Sequence, residues 1–160
     1  MFDLSRIDDI SIIADQVLEQ INVIFSEAGH ALPGRQYITT GSPAFDCEQL
    51  TVSFMNIESG LPDQAPRPGV PCNDPSTGTF LIDLVRKGPQ GTGRPNSSIV
   101  PPPDKLSDFG RVQMRDAKLL SDACHSIIST HFISMGSFTI TLQTGEGLHQ
   151  AVTAELRIPI

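Results

Sequence analysis

"SFTITLQTGEGLHQAVTAELRIPI", Ser137 to Ile160, decides the fold class. Phe138, Ile140 and Leu142 alternate with Thr139, Thr141 and Gln143. Beyond Thr144-Gly145-Glu146-Gly147, Val152, Ala154, Leu156 and Ile158 alternate again. Successive side chains of a strand point to opposite faces, so period two on both sides of a Gly-rich turn spells a β-hairpin with one apolar face. An antiparallel sheet with one covered face is the expectation.

Upstream, "TFLIDLVRK", Thr79 to Lys87, is apolar on both faces through Phe80, Leu81, Ile82, Leu84 and Val85, the mark of a central strand. From Gln49, Leu50, Val52 and Phe54 alternate with Thr51 and Ser53, a half-buried strand. Two helical patterns complete the count. Ile10, Ile13, Ala14, Val17, Ile21, Ile24, Phe25 and Ala28 recur at spacings of three and four. Asp8 and Asp9 complement the positive end of that helix and Gly29 suits a left-handed cap, so the pattern predicts a helix over Ile7–Ala28. In the second, Ser107 can serve as the cap, Phe109, Val112, Ala117, Leu120, Ala123, Cys124, Ile127 and Ile128 share one face, and Gly136 ends the element. Gln113, Asp116 and His131 fall on that same face, either paired inside the fold or turned toward a neighbouring chain.

Between these elements lie two long connections. Glu58–Gly78 contains Pro62, Pro66, Pro68, Pro71 and Pro75, which forbid a regular ladder or helix interior, and residues 88–106 are again broken by Pro and Gly. Loops of this length are uncommon unless they act as binding or contact segments. The expectation is a single domain over residues 1–160 of class α+β: a mostly antiparallel sheet of about four strands, two helices packed on one face, and two long Pro/Gly-rich loops.

Composition narrows the function classes. A net charge of −7 argues against a protein that grips duplex nucleic acid, since that affinity comes from Lys and Arg neutralising phosphates. Arg86-Lys87 with Arg94 is only a small basic patch. An acidic conduit through which DNA slides and an acidic enzyme both fit the charge. No apolar run approaches the ~20 residues of a membrane span, and the acidic start "MFDLSRIDDISII" lacks signal-peptide character, so a cytoplasmic product is expected. Three cysteines, Cys47, Cys72 and Cys124, without C-x-x-C spacing read as reduced thiols, with a Cys47–Cys72 contact left open.

Few residues are spaced as a chemical site requires. Cys47 lies between Asp46 and Glu48, charges that disfavour a thiolate, so the bland reading is a small side chain at the start of a strand. His30, His125, His131 and His149 are scattered, without metal-ligand spacing, and "GPQGTGRP" from Gly88 does not open into a helix as a P-loop must. The expectation is therefore no catalytic, cofactor or metal residue.

The stretch "GSPAFDCEQLTVSFMNIESGLP", followed by Cys72 and "FLIDLVRKGP", resembles the neck and tail-completion proteins of long-tailed, siphovirus-like actinobacteriophages over about Gly41–Pro89. The resemblance implies a tail terminator: a small α+β protein of the virion that forms a hexameric ring, caps the tail tube and joins it to the head-side stopper. It implies assembly in the bacterial cytoplasm, DNA passing through the lumen without specific binding, and no membrane. Loops and sheet edges would then contact neighbours, and Asp46, Glu48, Arg67, Arg86, Lys87, Arg94 and Asp116 become candidate assembly contacts. Both acids around Cys47 being simply solvated is the competing reading. A head-to-tail adaptor or stopper ring is the alternative function, and a small cysteine enzyme using Cys47 a remoter one.

Overall fold

The computed structural model describes residues 10–44, 46–60, 76–88, 101–131, 135–143 and 149–160. The order is α1 (Ile10–Glu27), β1 (Gln36–Thr40), β2 (Gln49–Ser59), β3 (Ser76–Lys87), α2 (Pro103–His131), β4 (Ser137–Gln143) and β5 (His149–Pro159). One sheet runs β1-β2-β3-β5-β4; every pair is antiparallel except β1 with β2. The chain is an α+β protein, with five strands where four were expected.

The extra strand is "QYITT". Its apolar pair Tyr37-Ile38 is consecutive rather than alternating, so period analysis passes over it. Pairing makes it a strand: Ile38 lies beside Val52 and Thr40 beside Phe54 in parallel register. Gly41, at φ +71°, starts the turn back toward β2, a conformation that L side chains adopt only at a cost.

β3 sits in the middle of the sheet, as its two-sided apolarity predicts. β4 and β5 pair antiparallel from Ser137↔Arg157 to Gln143↔Ala151, the hairpin read from the alternation, while its turn at 144–147 lies outside the described residues. β2 and β3 extend further than expected, pairing as far as Ser59↔Ser76, so strand replaces both ends of the first proline-rich connection. The prolines between them lie outside the described residues, as do Ile7–Asp9.

Both helices cover one face of the sheet. Ile13, Val17, Ile21 and Phe25 of α1 and Leu120, Ala123, Cys124 and Ile127 of α2 close over Leu50, Val52, Phe80, Ile82, Leu84, Val152, Ala154, Leu156 and Ile158. Burial of each Val, Leu, Ile or Phe among them is worth about 1.5–3 kcal/mol before the opposing entropy is counted. Gly29 caps α1 at φ +61°, with His30 N–H donating to Phe25 O at 3.0 Å. α2 starts at Pro103, earlier than the expected cap at Ser107: Leu106 N–H already donates to Pro102 O at 3.1 Å. Proline has no N–H to lose in a first helical turn, so a proline run that looks like loop continues straight into helix. Gly136 lies beyond α2 and serves as a close approach, since a Cβ there would stand 2.9 Å from Ile128 Cγ1. No helix among the described residues is long and apolar enough to cross a membrane.

Candidate functional site

The chain reverses after β1 and re-enters the sheet at β2, and this corner holds the Asp-Cys-Glu triplet. Asp46 is exposed. Cys47 is half-buried, and its Sγ accepts from Arg35 Nη1 at 2.9 Å and lies 3.4 Å from Gln49 Oε1. Gln49 is fully buried; its amide donates to Ala44 O at 2.7 Å, and its Oε1 also accepts from Tyr37 Oη at 3.3 Å. The Arg35 guanidinium stands 5.3 Å from the Tyr37 ring centroid. The thiol therefore faces a cation that comes from a distant part of the sequence, although its neighbours in sequence are acids. Glu48 turns away and accepts the backbone N–H of Lys87 at 3.0 Å, pinning the last residue of β3 to the corner. Neither hydrogen-bond partner of Cys47 is a base suited to withdraw its proton. The second described thiol, Cys124, is buried in the core, and burial pushes it up to about 12.

A second constellation joins three elements around Asp116 of α2, whose side chain is 1% exposed. Arg86, from the end of β3, approaches as a fork with Nε at 2.6 Å from Oδ2 and Nη2 at 2.9 Å from Oδ1. His30, just past α1, places Nε2 2.8 Å from Oδ1. A carboxylate only accepts, so this nitrogen carries the proton. Arg86 Nη2 also donates to Ala31 O at 2.8 Å, and Arg115 Nη2 to Ala28 O at 2.8 Å. The cluster binds the C-terminal end of α1 to α2 and to the sheet. Of the two readings of Asp116, pairing inside the fold is the one observed.

The third lies on the sheet face away from the helices, where Thr51, Asp83 and Thr153 stand side by side on β2, β3 and β5. Asp83 is 2% exposed. Thr153 Oγ1 donates to its Oδ1 at 2.6 Å, and burial raises its carboxyl above the usual range, against the lowering effect of that hydrogen bond. Thr51 Oγ1 and Ser53 Oγ are buried without a hydrogen-bond partner among the described residues. Sequence reading classed this strand as apolar on both faces and missed the row. The available signal was one Asp inside "FLIDLV" opposite the Thr/Ser alternation of "LTVSF".

Of the candidate contacts, Arg86 and Asp116 meet each other, Glu48 holds the backbone of Lys87, Asp46 stands apart, and Arg67 and Arg94 lie outside the described residues. Among the described residues no cluster of His, Cys, Asp and Glu could hold a metal ion. No family model and no curated protein sequence matches this chain.

Proposed function

We propose that this chain is a structural protein of a phage neck, a tail terminator whose copies form a ring that caps the tail tube and joins it to the head. The observation that supports the reading best is the location of the residues that carry the resemblance. Those among the described residues form the β2 corner and the central β2–β3 pair, and Glu48 and Gln49 hold backbone, the N–H of Lys87 and the carbonyl of Ala44. Such a stretch sets the rigid centre of a sheet and leaves the outer strands and long loops to meet neighbours. Surfaces that differ on the two sides of a subunit close into a ring when the rotation between copies allows it. The net negative charge suits a lumen that DNA must cross without sticking. The tail tube protein and a head-side stopper are the partners this role requires.

Electron microscopy of the purified protein mixed with tail tubes tests the role. Rings seated on tube ends are expected. Rings that bind the portal side and ignore tubes would assign the chain to the adaptor or stopper position, and a protein that joins neither would end the neck reading.

A further inference from the structure

The two ends of the sheet are β1, "QYITT", and β4, "SFTITLQ". Neither contains a charged residue or a proline, the devices that keep exposed edges from pairing with other chains. The register irregularity among the described strands lies between Phe54 and Asn56 of β2, just past the Thr40↔Phe54 pair at which β1 ends, and so falls within neither β1 nor β4. Among the described residues no strand lies beyond either one.

Strand direction limits what each edge accepts. β1 runs parallel to β2, and the antiparallel steps through β3, β5 and β4 leave β4 opposite in direction to β1. A second copy placed beside the first in the same orientation therefore offers its β1 antiparallel to the first copy's β4. The helices of both copies then stay on one side.

We infer that β4 of one copy pairs antiparallel with β1 of the next, with Ile140 opposite Ile38, so that the sheet continues from copy to copy. This rests on the ring reading and names its seam. The register uses all five residues of β1, placing Gln36–Thr40 against Phe138–Leu142. It also keeps faces matched. Ile38 shares a row with core residue Val52, and Phe138 and Ile140 share rows with Leu156 and Ala154. On the other face Tyr37 meets Thr141 and Thr39 meets Thr139, the type of cross-strand pair that favours association. A slip by one residue would turn Ile140 onto the polar face.

Shape supports a head-to-tail seam over a two-fold one. A groove of about 450 Å³ lies beside β1, lined by Ile10, Ala14, Ile38, Thr40 and Phe54. The register brings Ile140 and Phe138 of the neighbouring copy to its mouth. Leu142, 52% exposed in one chain, gains cover from the added strand. Pairing of β4 with β4 would leave both the groove and the β1 edge open.

The test is a Thr39→Cys/Thr139→Cys double variant, oxidised both free in solution and on tail tubes. A non-reducing denaturing gel should show a ladder of covalent multimers in the double variant and none in either single variant. A covalent dimer from Thr139→Cys alone would mean β4 pairs with β4, and overturns the inference. Rings or capped tubes without any ladder would overturn the seam and leave the ring reading standing. A Thr139→Lys/Thr141→Lys variant supplies a second readout, because both side chains are exposed and the fold should persist. Its unfolding midpoint should match that of the unaltered protein while its assembly into multimers, in solution or on tail tubes, is lost; undiminished association would overturn the inference.

Discussion

Two aspartates are buried almost equally in this protein and are held in opposite ways. Asp116 is 1% exposed and meets a forked guanidinium and an imidazole N–H, so its charge has partners. Asp83 is 2% exposed and has a hydroxyl donor and a neighbouring threonine row, so burial raises its carboxyl. The first fixes how three elements meet. The second places a titrating group in the middle strand of the sheet, where its protonation is coupled to folding.

Substitutions separate the two. Asp116→Ala should cost the most, about 3–5 kcal/mol, because it leaves Arg86 without its counter-charge. Chemical denaturation would read this, and a loss below 1 kcal/mol would mean the cluster is dispensable. Thr153→Val should cost less, about 1–3 kcal/mol, by removing the donor to a buried carboxyl. Asp83→Asn should act with a sign that depends on pH. A carboxyl whose folded pKa lies above its unfolded value of 3.8 contributes stability that is complete below 3.8 and lost as pH rises through the folded value. The variant lacks that loss, so its stability relative to the native chain should improve as pH rises, by about 1.4 kcal/mol for each unit of the shift. A difference that stays flat with pH would show the carboxyl to be unperturbed. The smallest expected effect is at the corner: Glu48→Gln should cost about 0.5 kcal/mol, since its hydrogen bond to Lys87 N–H is exposed and the amide oxygen can still accept it.

The thiols offer a matching contrast. Cys47 is half-buried, and Cys124 lies in the core with its thiol pushed up to about 12. Alkylation at neutral pH should label Cys47 in the folded protein and Cys124 only on unfolding. Labelling of Cys47 faster than a free thiol would revive the cysteine-enzyme reading.

The hairpin, the central strand and α1 were legible because burial on one face imprints a period on many residues. β1 was not, since a five-residue edge strand is defined by its neighbour rather than by a period of its own. The start of α2 was misread because a run of prolines reads as loop, although the first turn of a helix accepts proline. The site divided along the same line. The corner was found from its composition, yet the cation against Cys47 comes from Arg35, and the partners of Asp116 come from β3 and the turn after α1. Sequence order carries no information about such long-range meetings.

The most direct measurement of the central claim is the mass of the purified protein in solution by light scattering, followed by the same measurement with tail tubes present. The account predicts closed rings of about six chains with two-sided seams, in solution or on the tube end. A chain that stays single at its highest soluble concentration and leaves the tubes bare would contradict it.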